Sequence, residues 1–176
     1  MELFLKYRQE LYLLLSLYCS ATVFYIGNYE TASSIVTGFV VIDTIYNKDI
    51  NTKPDFLLHH LLVIGCYSSF KYYKFYEYLD ITMKPILSFQ ISSIFLSINE
   101  LYKKNNFYNK YKYINLFFFM YSFIYFRIYQ YYYILTNPEF YVFLNKYNYF
   151  LTIFPYSFFT LNLYWITGVI KKIIRL

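Results

Sequence analysis

The chain is expected to fold as an all-α integral membrane bundle of about six transmembrane helices. Three observations predict it. Apolar types make up 59% of the 176 residues. They gather into runs of about the 17–25 residues that carry a helix across a bilayer. The lysines fall in short segments between those runs, not along one face of a soluble domain. Phe and Tyr are extreme, at 20 and 26 copies, and with Ile, Asn and Lys they share AT-rich codons. Part of this bias is therefore expected to be genomic, as in a large DNA virus or an AT-rich protist; a viral product would enter a host membrane. The mean hydropathy of +0.32 understates membrane character, because that scale counts each amphipathic Tyr as polar.

The expected spans run over 9–27, 31–47, 55–73, 84–102, 114–135 and 149–170. Lipid offers no water to an unpaired backbone, so each should be a helix. The alternating polar pattern of a transmembrane barrel is absent. The first run has no small-residue cleavage site behind it and reads as a retained span, not a signal peptide. The second run is short and holds Asp43 near its end. The third begins at Asp55 and carries the only histidines, His59 and His60. The fourth places Gln90, Ser93, Ser97 and Glu100 on one helical face. The fifth contains Arg127, and the sixth Asn162 and Trp165. No internal repeat stands out, and the chain is expected to form one domain.

Orientation follows from the basic residues. With the N-terminus in the cytosol, Lys6, Arg8, Lys48, Lys53, Lys103, Lys104, Lys110, Lys112, Lys171, Lys172 and Arg175 lie inside, against Lys71, Lys74, Lys84 and Lys146 outside. That asymmetry predicts both termini in the cytosol and an even number of spans. The net charge of +6 is distributed for topology, and no nucleic-acid partner is expected. Cys19 and Cys66 both lie in apolar runs and should be small buried residues, not a disulfide.

Ionisable and amide groups within spans usually face the bundle interior and are functional candidates. Here these are Asp43, His59, His60, Gln90, Arg127 and Asn162, with Ser93 and Ser97 completing the polar stripe of span four. Arg127 needs a partner at its depth, and Asp43 or Glu100 is expected to supply it. Asp55 lies one turn before His59 and could orient that imidazole as a general base. Consecutive histidines point about 100° apart on a helix, so the two should have different neighbours. The plainer alternative for all of these is packing: interhelical hydrogen bonds, and small serines that let helices approach. Two histidines cannot supply a multi-histidine di-iron site, and no metal is expected.

These residues, in this order, resemble the TLC-domain membrane proteins, a family named for translocating-chain-associating proteins, longevity-assurance ceramide synthases and a ceroid lipofuscinosis protein. Gly38 through Asp43 resembles the family's aspartate-bearing span, and Asp55 through Gly65 its Asp-x-x-x-His-His run. Gln90 through Leu96 resembles its Glu-x-Ser-x-x-Phe-Leu segment, and Asn162-Leu-Tyr-Trp165 with the basic tail its last span. Arg127 fits as well. There are departures. Gln90 replaces the usual acid, Val63 stands where the synthases have Thr, and Ile86, Leu87 and Gln90 occupy their His-Asp-x-x-Asp element. The resemblance implies the fold and a lipid-related role, without that synthase element.

The expected function is a multi-pass protein of an internal membrane such as the endoplasmic reticulum, which binds, senses or regulates membrane lipids and needs no cofactor. One alternative is an acyltransferase-like enzyme with His59 or His60 as general base, Asp55 or Asp43 orienting it, and acyl-CoA as co-substrate. Another is a transporter or channel lined by the span-four stripe, Arg127 and Asp43. No paired Gly/Pro helix interruptions support this last reading.

Overall fold

A computed structural model describes residues 4, 6–47, 50, 52–73, 76–104, 108–147 and 149–174. Several topology-setting residues, among them Lys48, Lys74 and Arg175, lie outside the described set. Among the described residues the fold is all-helical, with no strand.

Helix α1, Arg8–Ala21, runs on into a π-helical turn at Thr22–Ile26. Gly27 ends it in the left-handed conformation (φ 72°), which a residue without Cβ adopts at little cost. Asn28 then starts α2, Tyr29–Tyr46, its side chain accepting the Thr31 N–H at 3.1 Å. Pro54 opens α3, Pro54–Tyr73, at the position where a missing N–H costs nothing.

The expected fourth span is split. It comprises α4, Met83–Ser88, and α5, Gln90–Lys104, with Phe89 between them. The fifth is α6, Tyr108–Phe123, a second π segment at Ile124–Tyr129, and α7, Gln130–Thr136. A short helix that the sequence reading left as a loop follows: α8, Pro138–Lys146, capped by the Asn137 side chain on the Glu139 N–H at 2.9 Å. Its last residue, Lys146, meets Glu77, and that hydrogen bond raises the exposed ammonium above its ordinary pKa. Helix α9, Ile153–Ile174, follows a 3₁₀ turn at Tyr149–Thr152.

The helices close a ring. α1 packs on α5 and α5 on α6; the π segment and α7 pack on α9; α9 packs on α3, and α3 on α2. Between them lie Cys19, Ala32, Val36, Phe70, Leu87 and Tyr131, each nearly inaccessible. Both cysteines are free and buried, as expected.

The surface is inverted relative to a water-soluble bundle. Leu14, Ile45, Leu61, Phe117 and Tyr121 point outward and are more than half exposed. Meanwhile Asp43, His60, Ser88, Ser92, Arg127 and Asn162 are buried. Lipid tails favour that arrangement, because apolar side chains face hydrocarbon and polar groups pair inside. By length and composition alone, two segments among the described residues are apolar enough to cross a membrane, Arg8–Ile26 and Ile153–Lys171. The remaining helices carry further polar residues of the interior, among them Asp43, His60 and Arg127.

Candidate functional site

The polar residues form two clusters inside the ring, joined by the two histidines. The first is built on α2. Asp43, with no exposed surface, accepts two hydrogen bonds from Arg8, Nε to Oδ1 at 2.6 Å and Nη2 to Oδ2 at 2.9 Å. The Tyr12 hydroxyl donates to Oδ2 at 2.6 Å, and Asn47 Nδ2 to Oδ1 at 3.3 Å. Arg8 and Tyr12 sit one turn apart on α1, so a single helical face supplies both. A fork-shaped guanidinium is the natural partner of a buried carboxylate. Neither residue was singled out from the sequence as part of a site. Arg8 was read only as a topology-setting charge, although a buried aspartate within reach of a span-end arginine is the signal that finds it.

His60, on α3, faces this cluster. Its Nδ1 shares a 2.7 Å hydrogen bond with Thr44 Oγ1, and its Nε2 stands 3.9 Å from Asp43 Oδ2, beyond hydrogen-bond range. Thr44 also donates to the Val40 carbonyl at 2.7 Å. With its one proton there, Thr44 accepts from Nδ1–H, and Nε2 of His60 is left with a lone pair.

The second cluster centres on Arg127, which lies in the π turn. Its Nε donates to Ser92 Oγ at 2.6 Å, and its Nη2 to Ser93 Oγ at 2.8 Å and to the Phe89 carbonyl at 3.4 Å. That carbonyl, in the turn that breaks the helix at Phe89, also accepts the Ser92 N–H at 3.1 Å and the Ser92 hydroxyl at 2.8 Å. The Arg127 carbonyl in turn accepts from Asn162 Nδ2 at 3.3 Å. The rings of Phe89, Phe123 and Trp165 lie 5.9, 5.2 and 6.0 Å from the guanidinium carbon. The expected acidic partner is not there. Asp43 is held by Arg8, and Glu100 by Lys103 at 2.7 Å. Among the described residues no carboxylate comes within 4 Å of Arg127.

His59 points to this second cluster and away from His60; the two rings are 6.0 Å apart at 59°. It packs edge-on against Phe158 at 5.8 Å and against Trp165 at 5.2 Å. Its Nδ1 is buried and has no hydrogen-bond partner. Asp55, expected to orient His59, instead accepts from the Trp165 indole N–H at 2.8 Å. The carboxylate fixes the indole, and the indole faces the imidazole.

The span-four stripe divides between neighbours. Gln90 accepts from Ser16 on α1 at 3.2 Å, Ser93 serves Arg127, and Ser97 is buried. Glu100 lies out of this arrangement, half-exposed beside Lys103. Next to the second cluster is an apolar cavity of about 50 Å³, walled by Cys66, Met83, Ile86, Tyr131, Phe154 and Phe158 among others. Among the described residues no three His, Cys, Asp or Glu side chains gather as a metal would require.

A family model described as the TLC domain matches residues 36–171. That stretch holds both histidines, Asp43 and Arg127, and excludes Arg8 and Tyr12. No curated protein and no solved structure matches.

Proposed function

The chain belongs to the TLC-domain family and is a membrane protein of lipid-related type, and from that premise we propose that it crosses the bilayer six times and binds membrane lipids to sense or regulate them. The observation that carries this reading is the inverted bundle: apolar side chains face outward while His59, His60 and Arg127 surround an interior that borders a cavity. Inside a membrane protein such groups mark ligand paths more often than packing. Among the described residues, helix on each of the six expected runs supports the span count, with α8 lying between the last two, and the basic-residue asymmetry supports cytosolic termini.

The test uses the full chain purified in mild detergent. Mass spectrometry of the protein should find co-purified lipid, and lipid profiles of cells with and without the protein should differ. Finding no bound lipid and an unchanged profile would overturn the reading.

His60 favours a second reading, an acyltransferase-like enzyme. Its Nδ1 is anchored on Thr44, which leaves Nε2 as a candidate base. Against it, both carboxylates expected to orient a histidine are engaged elsewhere, Asp43 by Arg8 and Asp55 by Trp165. Acyl transfer from acyl-CoA by wild type, but not by His60→Ala, would establish it. Equal transfer by both would remove it.

A further inference from the structure

The bundle answers one of its two buried charges and leaves the other to neutral dipoles. Asp43 has Arg8. Arg127, only 7% exposed, has two serine hydroxyls and a carbonyl. An uncompensated ion in a low-dielectric interior is costly, so a counter-charge from outside the chain would be strongly favoured. The guanidinium has donors to offer it. Its three hydrogen bonds use Nε and Nη2, and Nη1 donates to no described residue.

Resting on the lipid-binding reading above, we propose that Arg127 binds the carboxylate of a single-chain fatty acid, whose first methylenes enter the neighbouring apolar cavity. Three further features fit. His59 has a buried, unpartnered Nδ1, and the Trp165 ring approaches both His59 and Arg127. In its Nδ1–H tautomer His59 donates a second hydrogen bond to the same headgroup. Phe158 touches His59 and also walls the cavity, so the polar pair and the apolar space share a boundary. Tyr131, one turn beyond Arg127, lines that cavity with a buried hydroxyl that has no partner. The planar two-oxygen carboxylate suits a guanidinium fork, and a single acyl chain suits an apolar cavity whose lining offers no cationic side chain to a second anionic group.

The experiment measures binding of radiolabelled oleate and of oleyl alcohol, which has the same chain without the charge, to the full chain in detergent. Wild type should bind oleate at least tenfold more tightly than the alcohol. Arg127→Gln should lose that tenfold preference; Arg127→Lys, a charge without the fork, should fall between. Equal affinity of wild type for the two probes overturns the proposal, as does an oleate preference that survives in Arg127→Gln. Alcohol binding without oleate preference sinks this inference alone, whereas failure to bind either probe counts against the lipid-binding reading too. Should Arg127→Gln not purify as a monodisperse species, Arg127→Lys decides the matter, since an undiminished oleate preference in that variant overturns the proposal.

Discussion

Removing Arg8 should destabilise the bundle more than neutralising Asp43, although each change breaks the same ion pair. Asp43 is wholly buried, whereas the Arg8 side chain is 23% exposed. With hydrogen bonds of 2.6 and 2.9 Å, the charge centres are ~4 Å apart, which at an effective dielectric near 20 corresponds to about 4 kcal/mol. Partial exposure of Arg8 screens that attraction to roughly half. Arg8→Gln leaves a buried carboxylate with only Tyr12 and Asn47, and removal of one partner of a buried pair costs on the order of 3 kcal/mol. Asp43→Asn leaves an arginine that can turn its flexible stem toward the interface, at about 1–2 kcal/mol. The double variant should cost less than the sum by about 2 kcal/mol. Denaturant-induced unfolding in detergent, followed by Trp165 fluorescence, measures all three. If Asp43→Asn costs as much as Arg8→Gln, or if the two costs simply add, the pair does not hold α1 to α2 and the reasoning fails.

Other expectations follow from particular contacts. A Cβ on Gly65 would lie 2.8 Å from the Phe154 ring. The ring borders the cavity and has somewhere to move, so Gly65→Ala should lower stability by only about 1 kcal/mol and weaken oleyl alcohol binding as the cavity shrinks. Cys19 and Cys66 are buried thiols, so a membrane-permeant maleimide should leave both unmodified in the native protein and modify both after denaturation, as read by intact mass. Glycosylation acceptor sites inserted beside Lys71 or Lys146 should be modified in microsomes, while sites before Lys6 or beside Lys103 should not. The reverse pattern would invert the proposed topology.

The helical fold was legible because composition and run length are sufficient for it. All six expected runs contain helix, and Gly27, Asn28, Pro54, Asn137 and Pro138, at or between their ends, stand at caps and first turns. Two features escaped. Helix α8 falls where its short, mixed run 138–146 shows no span-length apolar pattern, and Phe89 interrupts the fourth run without any Gly or Pro at the break. The site was legible as a set of residue types but not as pairings. Asp43, His60 and Arg127 are buried as intramembrane polar groups should be, yet who meets whom depends on rotation and depth of separate helices. Sequence spacing suggested Asp55 for His59, one turn away. The structure gives Asp55 to Trp165, 110 positions later, because α9 lies against α3 at that level.

The two irregular backbones explain why the second cluster forms where it does. Non-helical backbone is tolerated at membrane depth only where protein or water satisfies it. The break at Phe89 puts one rod's carbonyl in a turn, where Ser92 serves it and Arg127 adds a third, longer contact, and the π turn at Ile124–Tyr129 shifts the carbonyl register on the facing rod. Arg127 sits on the second and donates to the first, while Asn162 from a third rod donates to the carbonyl of Arg127 itself. The arginine is therefore partly a repair of the backbone, which accounts for a buried cation with neutral partners. Repair does not account for all of it. Neutral donors could serve two serines and a carbonyl without the cost of burying a charge, and no repair requires the open donors on Nη1. The charge and those donors are what a structural role leaves over, and they lie where the unpaired His59 nitrogen and the cavity wall converge. If repair were the whole role, Arg127→Gln would retain native stability and lose no ligand discrimination; the anionic-ligand reading requires the discrimination to go while the fold remains.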